Sequence, residues 1–151
     1  MRPWIILLLA LLLVPATEAR LEQSKLQIAL LGNSVDSALA DTLIFNIEGP
    51  VVEVVPTDAK NFEMQKGKKV IIILGGPDAY EGVGGIVSKL LSQEEQRYIR
   101  SEGARMTYSK RDLWRKGQQV FIFAGSNRNE TRKAHMEAVD AVSRSLRELT
   151  P

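Results

Sequence analysis

Four apolar runs along the chain have the length and the β-branched content of buried strands. They cover residues 25–31, 51–55, 70–74 and 119–124. Because these runs are continuous rather than alternating, they are typical of strands that are buried on both faces of a parallel sheet. Each run is followed by a residue that stops a strand, namely Gly32, Pro56, Gly75 or Gly125. The pattern therefore predicts a mostly parallel sheet at the centre of the protein.

Three further segments have the periodicity of helices. Apolar side chains in residues 35–44 predict a first helix, with Asn33 or Ser34 as its N-cap. The capping box Ser92–Glu95 begins a second helix. A third helix is predicted over about residues 130–149, with one apolar face formed by His135, Val139, Val142, Leu146 and Leu149.

The order of these elements predicts the fold class. Residues 106–108 and 113–114 are expected to form a short hairpin, which gives the order strand–helix–strand–strand–helix–hairpin–strand–helix. Alternating buried strands and amphipathic helices favour a small three-layer α/β domain, Rossmann-like or flavodoxin-like, with a mostly parallel sheet. One such domain is expected to cover residues 20–151.

The N-terminal segment, residues 1–19, has the three parts of a signal peptide. Arg2 precedes an apolar run over residues 4–14, and small residues lead to a cleavage site after Ala19. The run has 11 residues, too few for a membrane-spanning helix. The chain is therefore expected to be secreted or to lie at the cell surface. An uncleaved segment that holds the domain at a membrane is the alternative.

The composition limits the partners and the kinds of catalytic or metal site that this chain can have. The formal net charge is only +2, which gives no reason to expect nucleic acid as a partner. The chain has no cysteine and a single histidine, His135, so thiolate metal sites and histidine clusters are excluded. His135 is expected to pack inside the protein rather than to act as a base. Ser126 lacks the second glycine of a nucleophile elbow. No catalytic residue, cofactor or metal is predicted.

The glycine-rich loop of residues 75–85 resembles a phosphate-binding loop only superficially. It lacks the Lys-Ser/Thr ending of a P-loop, and its spacing differs from the dinucleotide fingerprint. Asp78 and Glu81 would repel an anion, and two carboxylates are too few to predict a calcium site. We therefore expect a tight turn and a solvated acidic loop, which leads into the apolar segment 86–91.

The turn that follows the last strand carries a second candidate site. Asn129 begins the sequon Asn-Glu-Thr, so it is a candidate for N-glycosylation in an exported protein. The alternative is that Asn127 or Asn129 caps the last helix. Arg128 is expected to donate hydrogen bonds to carbonyls at the neighbouring strand ends.

A basic segment, residues 105–116, stands out between the second helix and the last strand. It has five basic side chains against the single acid Asp112, with Tyr108 and Trp114 interleaved. Such a surface is suited to acidic polymers or lipid headgroups, although most patches of this kind are the solvated side of a hairpin.

Two of these motifs together resemble archaeal S-layer proteins. One is the buried strand that ends in Gly75-Gly76-Pro77, and the other is the strand that ends in Ala124-Gly125 before Asn127-Arg128 and Thr131-Arg132. The resemblance covers about residues 68–140, and bacterial cell-wall-binding repeats pair similar turns. It implies a non-catalytic envelope module in which Arg128 and Thr131 shape the turn.

Two functions follow from the sequence. The first is an exported structural or binding module whose partners are envelope proteins or surface polysaccharide, with self-association as a further option. The second is an exported enzyme or a small-ligand binder that uses a cleft at the carboxyl ends of the strands, where ligands sit in α/β sheets. The candidate contacts are Asn33, Gly75, Gly76, Asp78, Tyr80, Ser126, Asn127 and Arg128.

Overall fold

The computed structural model describes residues 25–149 of the chain. The predicted signal peptide therefore lies outside the described residues. The strands are β1 (Leu26–Leu31), β2 (Val52–Thr57), β3 (Val70–Leu74), β4 (Arg105–Arg111) and β5 (Gln119–Gly125). The helices are α1 (Ser34–Ala38), α2 (Asp41–Ile47), α3 (Val83–Leu90), α4 (Gln93–Ile99) and α5 (Arg128–Leu149). No helix within residues 25–149 has the length and apolarity to cross a membrane.

The five strands form one sheet in the order β2-β1-β3-β5-β4. All neighbouring pairs are parallel except β4 and β5, which are antiparallel. The predicted α/β class and the mostly parallel sheet are thus confirmed. The chain leaves β1 toward one side to form β2 and returns to the other side for β3, so the direction of winding reverses between β1 and β3.

The apolar runs form the middle layer of three. In β3, alternate side chains point to opposite faces, and all five residues are fully buried. Ile72 packs in one core with residues of α2 and α5, whereas Ile73 packs in a second core with residues of α3 and α4. Burial on both faces is the reason that the strand runs are continuous in the sequence.

Predicted helix boundaries are confirmed where a cap defines them. The Asn33 side chain accepts hydrogen bonds from the amides of Val35 and Asp36, so Asn33 is the N-cap of α1. The Ser92–Glu95 capping box begins α4. The first predicted helix is, however, two short helices, because the chain turns at residues 39–40 between α1 and α2. Helix α3 begins at Val83, inside the glycine-rich segment.

The predicted hairpin was wrong in its second strand. Strand β4 includes residues 106–108 but pairs with β5, and residues 113–114 lie in the connection between them. That connection is fixed by side chains instead of by strand pairing. The Trp114 ring packs edge-on against Phe62 at 5.5 Å, and the Trp114 amide donates to the Gln118 side chain.

Candidate functional site

The carboxyl ends of β1, β3 and β5 meet around a cleft of about 320 Å³. Seven of the eight predicted contacts line it, namely Asn33, Gly76, Asp78, Tyr80, Ser126, Asn127 and Arg128. Gly75 lies next to the cleft without lining it. The cleft is also lined by Asp36, Ile99, Arg100 and Thr131, which sequence reasoning did not select.

Close backbone packing at two glycines brings the turns together. A Cβ atom on Gly76 would lie 2.6 Å from the carbonyl oxygen of Gly125, so the ends of β3 and β5 are in direct contact. A Cβ atom on Gly125 would lie 2.2 Å from the amide nitrogen of Thr131. The first turn of α5 therefore rests on the end of β5. Only glycine allows such approaches.

Asp36 places a buried carboxyl group in the cleft. It is 6% exposed, and one of its oxygens accepts a hydrogen bond of 2.7 Å from the Asn33 side-chain amide. Burial raises the pKa of Asp36, while the Asn33 hydrogen bond and the charge of Arg128 oppose that rise. A carboxyl group held in this way can accept a hydrogen bond from a ligand when it is ionised and can donate one when it is protonated.

Asp78 and Arg100 form a second polar pair in the cleft. The Arg100 guanidinium donates to both Asp78 oxygens, with Nε–Oδ2 and Nη2–Oδ1 distances of 2.9 Å. These bonds raise the pKa of Arg100. Two parallel hydrogen bonds fix the plane of both groups and so fix the directions of the donors and acceptors that remain.

The acidic loop is exposed to solvent, as expected, and its two carboxylates are in addition held by neighbouring residues. Asp78 is held by Arg100, and Glu81 accepts hydrogen bonds from the amide (2.8 Å) and the hydroxyl (2.6 Å) of Ser34. The Ser34 bonds lower the pKa of Glu81. Glu81 also adopts a positive φ of 57°. Both carboxylates thus tie the loop after β3 to neighbouring segments, a long-range role that leaves no signal in local sequence.

The N-terminus of α5 forms one wall of the cleft. The Asn127 side-chain oxygen accepts hydrogen bonds from the amides of Asn129 (3.0 Å) and Glu130 (3.1 Å), so Asn127 is the cap. Asn129 is exposed and does not cap, which leaves the sequon prediction standing. The Ser126 hydroxyl is buried and has no hydrogen-bond partner within residues 25–149.

Arg128 does not play the role expected of it. Within residues 25–149 its side chain forms no hydrogen bond to a strand-end carbonyl and no ion pair, although its charge acts on Asp36. It is exposed at the cleft. Its five N–H donors are therefore free to meet a ligand.

Tyr80 adds an aromatic surface to the rim of the cleft. Tyr80 is 77% exposed, although it lies in the loop that forms the wall after β3. A large aromatic side chain at a polar cleft offers a flat apolar face and a hydroxyl group to a bound molecule.

His135 lies outside the cleft lining and is 1% exposed. Its ring packs edge-on to Phe123 with a centroid distance of 6.1 Å. Burial lowers the pKa of His135 to about 4. The prediction of a packed histidine is confirmed.

Metal ligands are not assembled in the described part of the chain. Residues 25–149 contain no group of three or more histidine, aspartate or glutamate side chains placed to hold a metal ion.

Comparison with protein-family models and with curated proteins gives no match to this chain. The S-layer resemblance therefore stays a prediction, and the functional conclusion depends on the geometry of the site.

Proposed function

We propose that the domain binds a small hydroxyl-rich molecule, such as a terminal sugar of a surface polysaccharide, in the cleft at the strand ends. The observation that carries the proposal is the combination of fixed planar polar groups with an exposed aromatic ring. Asp36, the Asp78–Arg100 pair and Arg128 offer donors and acceptors, and Tyr80 offers a flat apolar face. Sugars present alternating hydroxyl groups and C–H faces that complement such a surface.

The balance of charge favours a neutral or zwitterionic ligand over a phosphate. The lining includes two carboxyl groups, Asp36 and Asp78, and two guanidinium groups, Arg100 and Arg128. The Asp78–Arg100 pair cancels most of its own charge at the 2.9 Å contact distance. A phosphate would then meet Asp36 as well as Arg128, whereas hydroxyl groups can hydrogen-bond to both.

The size of the cleft supports a small ligand. Its volume of about 320 Å³ lies at the lower end of the range for ligand pockets, about 300–1,000 Å³. The position also supports binding. It lies where the winding of the sheet reverses, which is the usual ligand position in open α/β sheets. We infer from the same strand order that the domain is Rossmann-like, with β4 as an antiparallel edge.

Binding can be tested by saturation-transfer NMR with neutral, amino and acidic monosaccharides and their short oligomers. We expect neutral or amino sugars to bind, and Arg128→Gln and Tyr80→Ala to weaken binding at least tenfold. Arg132→Gln is the matched control, because Arg132 is an exposed arginine one turn further along α5 and outside the cleft lining. Binding of inorganic phosphate with no sugar binding would contradict the proposal.

A second candidate is an enzyme that acts on the same kind of ligand. Asp36 favours this candidate. A general acid must be protonated before it acts, and the raised pKa of Asp36 favours the protonated form. Incubation with oligosaccharides that bind would reveal hydrolysis as new reducing ends. Hydrolysis that Asp36→Asn abolishes would identify an enzyme, and binding without hydrolysis would favour the binding module.

We also propose that the protein is exported and works at the cell envelope, as the sequence of residues 1–19 and the S-layer resemblance predict. Mass spectrometry of the protein from its native cells would test this. An N-terminus at Arg20, a glycan on Asn129 and co-purifying envelope components are expected. An intact Met1 together with a cytosolic fraction would contradict it.

A further inference from the structure

The opposite end of the sheet carries a concentrated positive charge that the cleft does not use. Residues 25, 63–69 and 111–118 contain seven basic side chains and two acidic ones. The whole chain has a formal net charge of only +2, so the charge is unevenly distributed. We call this surface the basic edge and define it by Lys25, Lys66, Lys68, Arg111, Arg115 and Lys116.

Sheet register brings these residues to one edge. Ile28, Val70, Gln119 and Arg111 lie in one row across β1, β3, β5 and β4. Lys25 precedes β1, and the lysines of residues 66–69 precede β3. The connection from β4 to β5 supplies the remaining cations. The basic edge is therefore the amino end of the parallel strands, opposite the cleft.

The two loops of the basic edge are bound to each other. The Gln118 side chain donates to the carbonyl oxygens of Lys66 (2.7 Å) and Lys68 (2.8 Å). Arg115 donates to the carbonyl oxygen of Gly67 at 2.7 Å. The cations are thus presented by one continuous surface. These contacts use the backbone carbonyl oxygens of Lys66 and Lys68, whereas the Lys68 ammonium donates to the Gln27 side chain.

The two acids of the basic edge are already engaged. Glu63 is paired with Lys66, and Asp112 accepts a hydrogen bond of 2.5 Å from the amide of Gly117. Arg111 and Lys116 are exposed, and within residues 25–149 their side chains form no hydrogen bond or ion pair. Glu53 at the start of β2 lies at the same end, where Gln27 links it to Lys68. An external anion would therefore meet uncompensated positive charge at Arg111 and Lys116, on the β4–β5 side of the basic edge.

We propose that the basic edge docks the domain on a membrane surface that contains anionic lipid headgroups. Exposed apolar side chains lie among the cations, which favours a lipid surface over a wholly polar polyanion. Met64 is 72% exposed and Leu113 is 37% exposed, and the Trp114 ring lies 5.6 Å from the Lys66 ammonium. Cations interleaved with apolar and aromatic side chains suit the headgroup–acyl boundary.

The path of the chain is compatible with the same occupant. Lys25, the first described residue, belongs to the basic edge, so the chain before it joins the domain there. Cleavage after Ala19 would leave residues 20–24, which include the further cation Arg20, next to the basic edge. Docking through the basic edge would turn the cleft away from the lipid. The two ends are separated by the five residues of β3, a distance of about 16 Å at about 3.3 Å per residue.

Vesicle co-sedimentation of the full chain tests the proposal. Phosphatidylcholine vesicles are compared with vesicles that contain 30% phosphatidylglycerol, so that any contribution of the apolar run is common to both. We expect tighter binding to the anionic vesicles and loss of this difference in high salt. The variant Lys25→Gln/Arg111→Gln/Lys116→Gln should reduce the partition coefficient by roughly a hundredfold on the anionic vesicles.

A charge-matched control distinguishes a docking surface from net charge. The variant Lys60→Gln/Arg97→Gln/Arg132→Gln removes three exposed cations outside the basic edge, and it should bind nearly as well as the unchanged chain. Circular dichroism should show that both variants are folded. Equal losses in the two variants, no preference for anionic vesicles, or binding to a soluble acidic polysaccharide alone would each overturn the proposal.

Discussion

The carboxyl end and the amino end of the parallel strands both have loops that contain glycine, but the two ends are built differently. Glycines whose Cβ atom would collide with other backbone lie only at the carboxyl end. A Cβ on Gly125 would be 2.2 Å from a neighbouring amide nitrogen, whereas a Cβ on Gly67 would meet no atom within 4 Å. The carboxyl end is shaped by packing, and the amino end presents charge. Substitutions at the two ends should therefore differ in kind.

The largest expected effect is at Gly125. Gly125→Ala should lower the free energy of unfolding by more than about 3 kcal/mol, because the new methyl group would force α5 away from β5. Chemical denaturation monitored by circular dichroism would measure it. Gly67→Ala is the matched control, and its effect should stay within about 0.5 kcal/mol. Similar losses in the two variants would contradict the contrast between the ends.

A pH-dependent effect of nearly the same size is expected at His135. Its pKa is lowered from 6.5 to about 4, so the folded state favours the neutral ring. The stability that this group contributes is complete above pH 6.5 and is lost as the pH falls toward 4. The loss should reach about 3 kcal/mol. Denaturation curves of the unchanged chain and of His135→Leu at each pH would give the difference in their free energies of unfolding. A difference that stays constant from pH 7 to pH 4 would show that His135 does not cause the loss.

A smaller effect is expected from the cap of α5. Asn127→Ala removes the acceptor of two amide hydrogen bonds and should cost about 1 kcal/mol. Asn129→Ala, two residues along, removes an exposed side chain and the sequon and should change the melting temperature little. If Asn129→Ala cost more than Asn127→Ala, the cap would be wrongly assigned.

The smallest effect is expected at the basic edge. Arg111→Gln removes an exposed cation at the end of β4 and should change the free energy of unfolding by less than about 0.5 kcal/mol. Thermal denaturation at low salt would detect a larger change. A substantial loss would show that Arg111 supports the fold, whereas a neutral result leaves it available for contacts outside the domain.

Elements that are determined by a local pattern of residues could be predicted from the sequence. The four strand runs, the capping box at Ser92 and the cap at Asn33 each depend on a few adjacent residues, and the structure contains all of them. The end predicted for the second strand was wrong, because β2 continues through Pro56 to Thr57 at the border of the sheet, where proline is tolerated. The convergence of three turns was also predictable, because carboxyl ends of parallel strands share one edge.

The remainder of the site depends on contacts between distant residues. Arg100 reaches Asp78 across 22 positions, and Ser34 reaches Glu81 across 47. Nothing in the sequence near Asp36 indicates that its carboxyl group is buried, because burial follows from how α1 packs against the loop after β3. The hairpin prediction failed for a related reason. Trp114 has strand propensity, but its contact with Phe62 places it in a loop.

The composition of β4 has a consequence for how copies of this protein can meet. β4 forms one border of the sheet, and an exposed border strand offers unpaired backbone groups to any passing strand. Here that strand reads Arg-Met-Thr-Tyr-Ser-Lys-Arg, with basic side chains at both ends. Arg105 is paired with Glu130 and Glu137, which fixes it beside α5. Charged side chains at both ends of a border strand hinder its pairing with a strand of another molecule, so β4 is poorly suited to join the sheets of two copies.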